Sequence, residues 1–448
     1  MDGRPAVGAP APRTWRNWAR TESATPLHVV RPRDLEELSA TLARATGTGT
    51  RARAVGAGHS FSGTAVTDGV QVHLDAFASV ERVEQHPDGT AHVTVGAGMR
   101  LHRLNAALAA RGLALRNLGD IDRQTVGGAV STNTHGTGAR LGGLSTQVVG
   151  VRLVTADGEV VDVSPEHDPD LFEVARLGLG AVGVLTAVTL EAVPAFRLLS
   201  REAPMPLAEV LERLDELVDG SDHFEMFWFP HTDVALTERH DRAEPDDDRP
   251  LSPLRGALVD ELLTNVTFGA VQHVAASSRR WTPALNRFQA ASLPPRTYTG
   301  PSHEVLVSRR RVRFREGEYA VPRTSVVDVL HELAAWFRAT GAHVPFPLEI
   351  RFGPAEDLWL STAHGRPTAH VAVQQFHRLP HLRYLEAAER IVGQVGGRPH
   401  WGKLHTYDRA RLEPLYPHLA DVDRIRARVD PGGTFRNDYV DRVLGPVG

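Results

Sequence analysis

Residues 55–62 read Val-Gly-Ala-Gly-His-Ser-Phe-Ser, a glycine-rich turn that holds a histidine. Glycine adopts positive φ at little cost and lets backbone N–H groups come close to a phosphate. A loop that only cradles a pyrophosphate needs no reactive side chain, so the imidazole of His59 suggests a covalent or catalytic link to a bound dinucleotide. These residues alone leave a second interpretation open, in which the segment is a strand-to-helix turn and His59 is incidental.

A second glycine-rich segment at residues 124–138 reads Gln-Thr-Val-Gly-Gly-Ala-Val-Ser-Thr-Asn-Thr-His-Gly-Thr-Gly. Its small residues and hydroxyls offer many backbone donors with little bulk, which suits a diphosphate and a flat ring system. Neither segment has the G-x-G-x-x-G pattern of a Rossmann site, and the G-x-x-x-x-G-K-[ST] phosphate loop does not occur. Because two separate segments can grip one long ligand, the pair favours FAD over a mononucleotide.

The composition is that of a globular protein of two or three domains, with 448 residues, 42% hydrophobic and 23% charged. The net charge of −4 provides no basic field for nucleic acid or an anionic membrane, and the arginine-rich run at 309–315 is typical of a solvated strand face. The absence of cysteine excludes disulfides, thiolate catalysis and iron–sulfur clusters. Because the chain has no signal sequence, no apolar run of about 18 residues and no metal-binding motif, we expect a cytoplasmic protein with no membrane span and no metal site.

The pattern of apolar residues divides the chain into four parts. Residues 1–13 are rich in proline, alanine and glycine and are predicted to be flexible. Residues 14–195 predict an α/β region, and residues 196–399 predict an α+β region with antiparallel strands. Residues 400–448 have too few apolar residues for a core of their own, so we expect them to pack on another domain.

Apolar periodicity within these parts predicts individual elements. Helices are predicted at 35–45, 101–111, 207–218 and 326–340. Strands are predicted at 51–55, 70–74, 91–95, 149–155, 159–163, 183–193, 224–229, 344–352 and 370–376.

Lys403 is the only lysine in the chain, because the other 49 of the 50 cationic residues are arginines. Codon bias explains the imbalance but not the one lysine that remains. Arginine replaces lysine where only positive charge matters, but not where a compact ammonium is required. Lys403 is therefore a candidate for binding a substrate hydroxyl or for stabilising negative charge on a reduced cofactor.

A third constellation is Glu349-Ile350-Arg351, with His370 on the next predicted strand. Residues at i and i+2 on a strand face the same side, so a carboxylate and a guanidinium would lie together. Such a pair offers acceptors and donors to vicinal hydroxyls. The residues alone also allow a simpler interpretation as a surface ion pair, worth about 0–1 kcal/mol.

Taken together, these segments resemble the vanillyl-alcohol-oxidase-type flavoproteins, specifically the branch of sugar-lactone and alditol oxidases. The resemblance runs from about residue 14 to the end of the chain. Besides the two glycine-rich segments it rests on G-L-G-A-V-G-V-L-T-A-V-T-L at 178–190, H-F-E-M-F-W-F-P-H-T-D at 223–233, E-Y-A-V-P at 318–322, H-W-G-K at 400–403 and R-N-D-Y-V-D-R-V-L-G at 436–445.

The resemblance implies an α+β fold with a two-subdomain FAD-binding domain of the PCMH type at 14–195 and an α+β cap domain with an antiparallel sheet at 196–399. It also implies that residues 400–448 return to the FAD-binding domain and active site. His59 matches the family histidine that is joined to the flavin 8α-methyl group, so covalent FAD is expected. The residues implied to contact FAD are Gly56, Ala57, Gly58, His59, Ser60, Phe61, Gly119, Asp120, Thr125, Gly128, Thr132, Asn133, Thr134, His135 and Val184.

The resemblance also implies a substrate site, because Glu349, Arg351, His370 and Lys403 match residues that surround the substrate of alditol oxidase. The chain departs from the alditol enzymes at two positions, where Ala372 and Asp120 replace a threonine and a serine; this argues against an open-chain alditol. Gly119 matches the position where the plant galactonolactone dehydrogenase has an alanine that obstructs oxygen, which favours an oxidase.

We therefore expect an oxidase that transfers hydride from a carbinol carbon of a sugar 1,4-lactone or polyol to flavin N5 and reduces dioxygen to hydrogen peroxide. Arg351 and Lys403 would hold the reacting hydroxyl, and His370 is a candidate proton acceptor. Four alternatives stay open: a dehydrogenase with another electron acceptor, an oxidase of the sugar of a secondary metabolite, a nicotinamide-dependent reductase and a non-catalytic flavoprotein. The sequence does not distinguish a monomer from a dimer.

Overall fold

The computed structural model describes residues 14–447 apart from residue 245, residues 251–266, residue 293 and residues 309–311. The segment 1–13, predicted to be flexible, lies outside the described residues, as do three arginines of the basic run. None of the helices in the described part combines the length and apolar character that crossing a membrane requires.

The described part of the chain contains nineteen strands. In chain order they are β1 (Trp15–Arg16), β2 (Ser23–Ala24), β3 (His28–Val30), β4 (Ala52–Ala54), β5 (Val70–Val72), β6 (Val80–Gln85), β7 (Ala91–Gly96), β8 (Leu113–Ala114), β9 (Val148–Val154), β10 (Val160–Val163), β11 (Val184–Pro194), β12 (Arg197–Pro206), β13 (His223–Trp228), β14 (Val234–Arg242), β15 (Arg296–Pro301), β16 (Phe314–Pro322), β17 (Leu348–Gly353), β18 (Thr368–Phe376) and β19 (Arg398–Pro399).

The same part contains fourteen α-helices, several of them short. They are α1 (Leu35–Gly47), α2 (Leu101–Ala109), α3 (Val126–Ser131), α4 (Pro169–Arg176), α5 (Leu207–Glu212), α6 (Leu214–Asp219), α7 (Phe268–Ser277), α8 (Thr282–Ala291), α9 (Ser302–Val305), α10 (Val326–Thr340), α11 (Leu382–Gly393), α12 (Arg409–Leu412), α13 (Leu419–Val429) and α14 (Asp438–Leu444).

Most predicted elements are present, with three informative differences. The helix predicted at 207–218 is two helices, because the chain leaves helical geometry at Arg213 (φ −101°, ψ 17°) between α5 and α6. Strand β16 was not predicted, because glutamates occupy positions that an alternating pattern would fill with apolar residues. The strand predicted at 344–352 begins only at Leu348.

Besides the two-stranded pair β1-β2, two sheets form the N-terminal half of the molecule. The smaller has parallel strands in the order β3-β5-β4, and α1 packs on it through Leu38 and Leu42. The larger is antiparallel, in the order β10-β9-β11-β7-β6, with β8 paired to β11. The first glycine-rich segment directly follows β4, so the parallel sheet fixes where that turn begins.

An eight-stranded antiparallel sheet dominates the second half, in the order β15-β12-β14-β13-β17-β18-β16-β19. One face is apolar and shares a core with α5, α6, α10 and α11, to which Phe224, Ile350, Val371 and Tyr319 contribute. Because side chains alternate along a strand, the residues between these positions must face the opposite side. That opposite face is polar and is turned towards the N-terminal half.

The C-terminal helices pack on the N-terminal half. Leu412 of α12, Ile425 of α13 and Leu444 of α14 are buried in the same core as Val126 and Phe172. The segment between β19 and α12 therefore passes between the polar sheet face and the N-terminal half, and this segment carries Lys403. The four-part division at 1–13, 14–195, 196–399 and 400–448 remains our proposal for the domain boundaries.

Candidate active site

A cleft of about 1100 Å³, including its open mouth, runs between α3 and the ends of β4, β5, β7 and β11. Its walls come from both glycine-rich segments. Nine of the fifteen residues predicted to contact FAD line it: Gly56, Ala57, Gly58, His59, Ser60, Thr125, Gly128, Thr132 and Val184.

The first glycine-rich segment fits a phosphate-containing ligand. The backbone N–H groups of residues 56–60 have no hydrogen-bond acceptor within the described part of the chain, so they are available to a bound anion. A Cβ on Gly56 would overlap the hydroxyl of Thr125, and Gly58 has a φ of +68° that favours glycine. The segment is thus a cradle that side chains would fill, as FAD requires.

Of the six predicted FAD residues that do not line the cleft, four instead hold the fold. Asn133 donates its amide N–H to Glu356 at 2.8 Å, and the Thr134 hydroxyl accepts from Gln124 at 3.0 Å. The ring of Phe61 packs on Trp18 and Phe314. Gly119 lies against Thr134, since a Cβ there would be 2.7 Å from Thr134 Cγ2 and 3.1 Å from the His135 carbonyl oxygen. Packing alone therefore accounts for this glycine, independently of oxygen access.

His59 lies half-buried in the wall of the cleft, with its ring stacked on Trp18 at a centroid distance of 5.8 Å. Burial and the positive charge of Arg100 lower the pKa of His59 to about 4. The imidazole is therefore neutral at physiological pH, which leaves a ring nitrogen with a free lone pair. That is the state a histidine needs in order to form a bond to an electrophilic carbon.

The polar sheet face collects the predicted substrate residues through strand register. Directly paired residues of antiparallel strands share a face. One row runs Glu225, Arg351, His370 across β13, β17 and β18. The next row runs Glu349, Ala372, Glu318 across β17, β18 and β16, and a third pairs Gln374 with Glu316.

Arg351 is held by carboxylates on several sides. Its Nε donates to Glu225 Oε2 at 2.7 Å, and its guanidinium forms an ion pair with Glu349. Asp120, from the segment between β8 and α3, lies 3.9 Å away. The simpler interpretation of Glu349 and Arg351 as a surface pair is wrong, since their side chains are only 5% and 11% exposed.

Lys403 reaches the same face from the C-terminal segment. Its ammonium forms an ion pair with Glu316 and lies 3.6 Å from Glu318 Oε2. Burial alone would lower the pKa of Lys403, but the charges of Glu316 and Glu318 outweigh it and raise that pKa. Lys403 is therefore a cation that donates hydrogen bonds, rather than a base.

The polar face adjoins the cleft. The N–H of Phe61 donates to the carbonyl oxygen of Gly402 at 2.7 Å, which ties the first glycine-rich segment to the residue before Lys403. Gln374 links the two charged groups of the face, since its amide N–H lies 2.9 Å from Glu349 and 3.3 Å from Glu316. The structure thus brings Glu349, Arg351, His370 and Lys403 together beside the first glycine-rich segment.

Several residues at this site were not among the sequence predictions, namely Glu225, Glu316, Glu318, Gln374 and His400. Two signals could have indicated them. Glu316 and Glu318 stand at i and i+2 in Glu-Gly-Glu-Tyr, the same spacing that singled out Glu349 and Arg351. Glu225 lies inside the quoted segment at 223–233, between aromatic residues that imply burial.

Comparisons with known proteins cover nearly the whole chain. The D-arabinono-1,4-lactone oxidase family model matches residues 188–443, and the FAD binding domain model matches residues 26–164. The chain is 41% identical over 435 residues to L-gulono-1,4-lactone dehydrogenase of Mycobacterium tuberculosis, covering 96% of this chain and 99% of that protein. It is 33% identical over 439 residues to L-gulonolactone oxidase of Mus musculus, covering 96% and 98%.

A solved structure shows the same fold. A solvent-stable cholesterol oxidase superposes with a TM-score of 0.80 over 96% of this chain and 97% of the other, at 20% sequence identity. Together with the FAD binding domain match, this confirms the predicted fold class of a PCMH-type FAD-binding domain joined to a domain with an antiparallel sheet.

Proposed function

Because this chain belongs to the D-arabinono-1,4-lactone oxidase family, whose members are FAD-dependent oxidoreductases acting on CH–OH donors, we propose that it oxidises a sugar 1,4-lactone or related polyol with dioxygen as acceptor. The observation that carries the proposal is the polar sheet face. Glu349, Arg351, His370 and Lys403 converge there beside the cleft that fits FAD.

The substrate is a hydroxyl-rich ring. Glu349 offers acceptor oxygens while Arg351 and Lys403 offer donors, a combination that matches vicinal hydroxyls and a lactone carbonyl. Ala372 lies between Glu349 and Glu318 in the strand register and brings no hydroxyl. A threonine there would add a donor suited to a flexible alditol, so the alanine favours the cyclic lactone.

The chemistry divides between cofactor and protein. FAD, when bound, would supply the hydride acceptor for the carbinol carbon and the electrons that reduce dioxygen to hydrogen peroxide. Lys403 and Arg351 hold the reacting hydroxyl and stabilise negative charge as its proton leaves. We assign that proton to His370. Burial and the nearby charge of His135 hold the pKa of His370 well below its usual range, so its imidazole is unprotonated before the reaction.

The proposal includes a covalent bond between His59 and FAD, supported by the neutral imidazole in the cleft wall. We also propose that the enzyme is cytoplasmic. We propose that it acts as a monomer or a dimer.

A second candidate is a dehydrogenase of the same substrates that passes electrons to another carrier. The 41% identity to a lactone dehydrogenase favours it. Gly119 does not decide between the two, because a Cβ there would crowd Thr134 and the His135 carbonyl oxygen whichever acceptor is used.

One experiment distinguishes the oxidase from the dehydrogenase. The purified flavoprotein is mixed anaerobically with L-gulono-1,4-lactone, D-arabinono-1,4-lactone, xylitol or glucose, and the flavin absorbance is followed before and after air is admitted. We expect bleaching by a lactone and rapid recolouring with peroxide. Bleaching with slow recolouring would establish the dehydrogenase, and an unbleached flavin with every compound would contradict both.

A further inference from the structure

Three histidines meet where the N-terminal half contacts the polar sheet face. The rings of His135 and His370 are stacked with centroids 3.8 Å apart and an angle of 25° between their planes. The ring of His400 lies 5.6 Å from that of His135. All three side chains are buried, so their charges strongly affect one another.

His135 is the charged member of the group. Its Nδ1 lies 2.9 Å from the carbonyl oxygen of Gly136, and its Nε2 lies 2.6 Å from Glu318 Oε1. A carbonyl oxygen only accepts, and an ionised carboxylate only accepts, so both ring nitrogens must carry protons. Although burial alone would lower the pKa of His135, the charge and hydrogen bond of Glu318 raise it.

Glu318 is held ionised from two sides. Its second oxygen lies 3.6 Å from the ammonium of Lys403. Although burial alone would raise the pKa of Glu318, the charges of His135 and Lys403 hold that pKa well below its usual range. Glu318 and His135 are therefore an ionised pair across the junction of the two halves.

The other two histidines are neutral. His400 Nδ1 accepts the N–H of Gly402 at 3.0 Å, so it carries no proton there. His370 Nδ1 is buried and has no acceptor within the described part of the chain, so an imidazolium would leave an N–H unpaired. The stacked cation of His135 opposes a second charge at His370 as well.

We propose that Glu318 holds His135 as a buried imidazolium, and that this charge offsets the Glu318 carboxylate so that His370 stays uncharged, with a ring nitrogen free to receive the proton of the substrate hydroxyl. His135 is thus a positioning residue and not an FAD contact, in contrast to what the sequence resemblance implied. The role in catalysis rests on the proposed function, whereas the ionised pair does not.

The charges around His370 determine in which direction each substitution shifts the pKa of His370. His135, His400, Glu318 and Arg351 face it from the second glycine-rich segment, the C-terminal segment, β16 and β17. Neutralising His135 alone leaves the Glu318 carboxylate facing His370, which favours a protonated His370. Neutralising both members of the pair removes two opposite charges, so their effects on His370 largely cancel.

The test compares His135→Gln, Glu318→Gln and the double variant. The rate of flavin reduction by L-gulono-1,4-lactone is measured anaerobically from about pH 5 to about pH 9, which brackets histidine titration. We expect the rate for His135→Gln to fall on the acid side at a pH at least about one unit higher than in the parent enzyme. In the double variant, the pH at which the rate falls on the acid side should return most of the way to its value in the parent enzyme. The role of His135 would be overturned if His135→Gln lost rate equally at every pH. It would also be overturned if the double variant kept the shifted pH dependence of His135→Gln.

A second measurement needs no substrate. Because the pKa of His135 is raised in the folded protein, the stabilisation it provides is complete below about pH 6.5 and is lost as pH rises through the folded-state pKa. The urea midpoint of the FAD-loaded His135→Gln variant should therefore lie below that of the parent at about pH 6, and the difference should narrow as the pH rises through the folded-state pKa of His135. A difference that does not change with pH would overturn the ionised pair, even if no lactone reduces the flavin and the proposed function itself fails.

Discussion

The ammonium of Lys403 occupies a position that arginine could not fill in the same way. Its single nitrogen lies between two buried carboxylates of β16, and its side chain is only 22% exposed. A planar guanidinium would need more space and a forked set of acceptors. This geometry supports the argument that began from the presence of only one lysine in 448 residues.

Replacing Lys403 by methionine should slow flavin reduction by about 100-fold or more, because a donor to the developing charge is lost. FAD should stay bound, since Lys403 does not line the cleft. Stopped-flow reduction with a lactone measures the rate, and Lys403→Arg serves as a control that keeps the charge but not the shape. An unchanged reduction rate in Lys403→Met would contradict the assigned role.

Replacing His59 by alanine should abolish the covalent attachment of flavin without preventing FAD binding. The imidazole is one of many groups in the cleft wall, and the N–H cradle beside it is unchanged. The check is whether flavin absorbance stays with the protein after denaturation and filtration. If the flavin is released equally from the parent protein, the covalent bond is absent.

At the scale of elements, strand β16 shows why only part of the site could be predicted from the sequence. Lys403 was found by composition, and Glu349 and Arg351 were found by their i, i+2 spacing. Glu316 and Glu318 have the same spacing, but buried glutamates in a strand are indistinguishable from surface residues until the partners that neutralise them are known. Those partners, Lys403 and His135, lie far away in sequence.

The turn after β4 is the element whose shape depends most directly on glycine. Replacing Gly56 by alanine should lower FAD occupancy and reduce the free energy of unfolding by about 1–3 kcal/mol, because the new Cβ overlaps Thr125. Flavin-to-protein absorbance and urea unfolding measure the two effects.

Gly47→Ala in α1 is a matched control, since no atom lies within 4 Å of a Cβ at that position. Gly47→Ala should be neutral or stabilising by up to about 1 kcal/mol. Equal behaviour of the two variants would show that the turn tolerates a side chain.

At the scale of the molecule, the two halves are joined by buried polar contacts as well as by apolar packing. Glu356, in the connection between β17 and β18, accepts from the Asn133 side chain at 2.8 Å and from the Gly143 N–H at 2.7 Å. The His135–Glu318 pair crosses the same junction. The sequence indicated both halves and the returning C-terminal segment, but not these contacts, because they depend on the relative placement of the halves.

Replacing Glu356 by glutamine should lower the free energy of unfolding by about 1–3 kcal/mol, since one of the buried N–H donors facing it would lose a charged acceptor. Flavin reduction should change little, because Glu356 does not contact the residues proposed to bind substrate. Urea unfolding measures the loss, and Glu386→Gln on the exposed face of α11 is the control. A destabilisation no larger than that of the control would mean that the junction does not depend on this carboxylate.

The ion pairs that bury Lys403 also make it a built-in reporter of the folded state. No other residue carries a side-chain amine, so an amine-selective reagent can modify no other side chain. A lysine-specific endoproteinase should cut the unfolded chain once, after residue 403, and spare the folded one. The appearance of those two fragments would measure global opening without any added label.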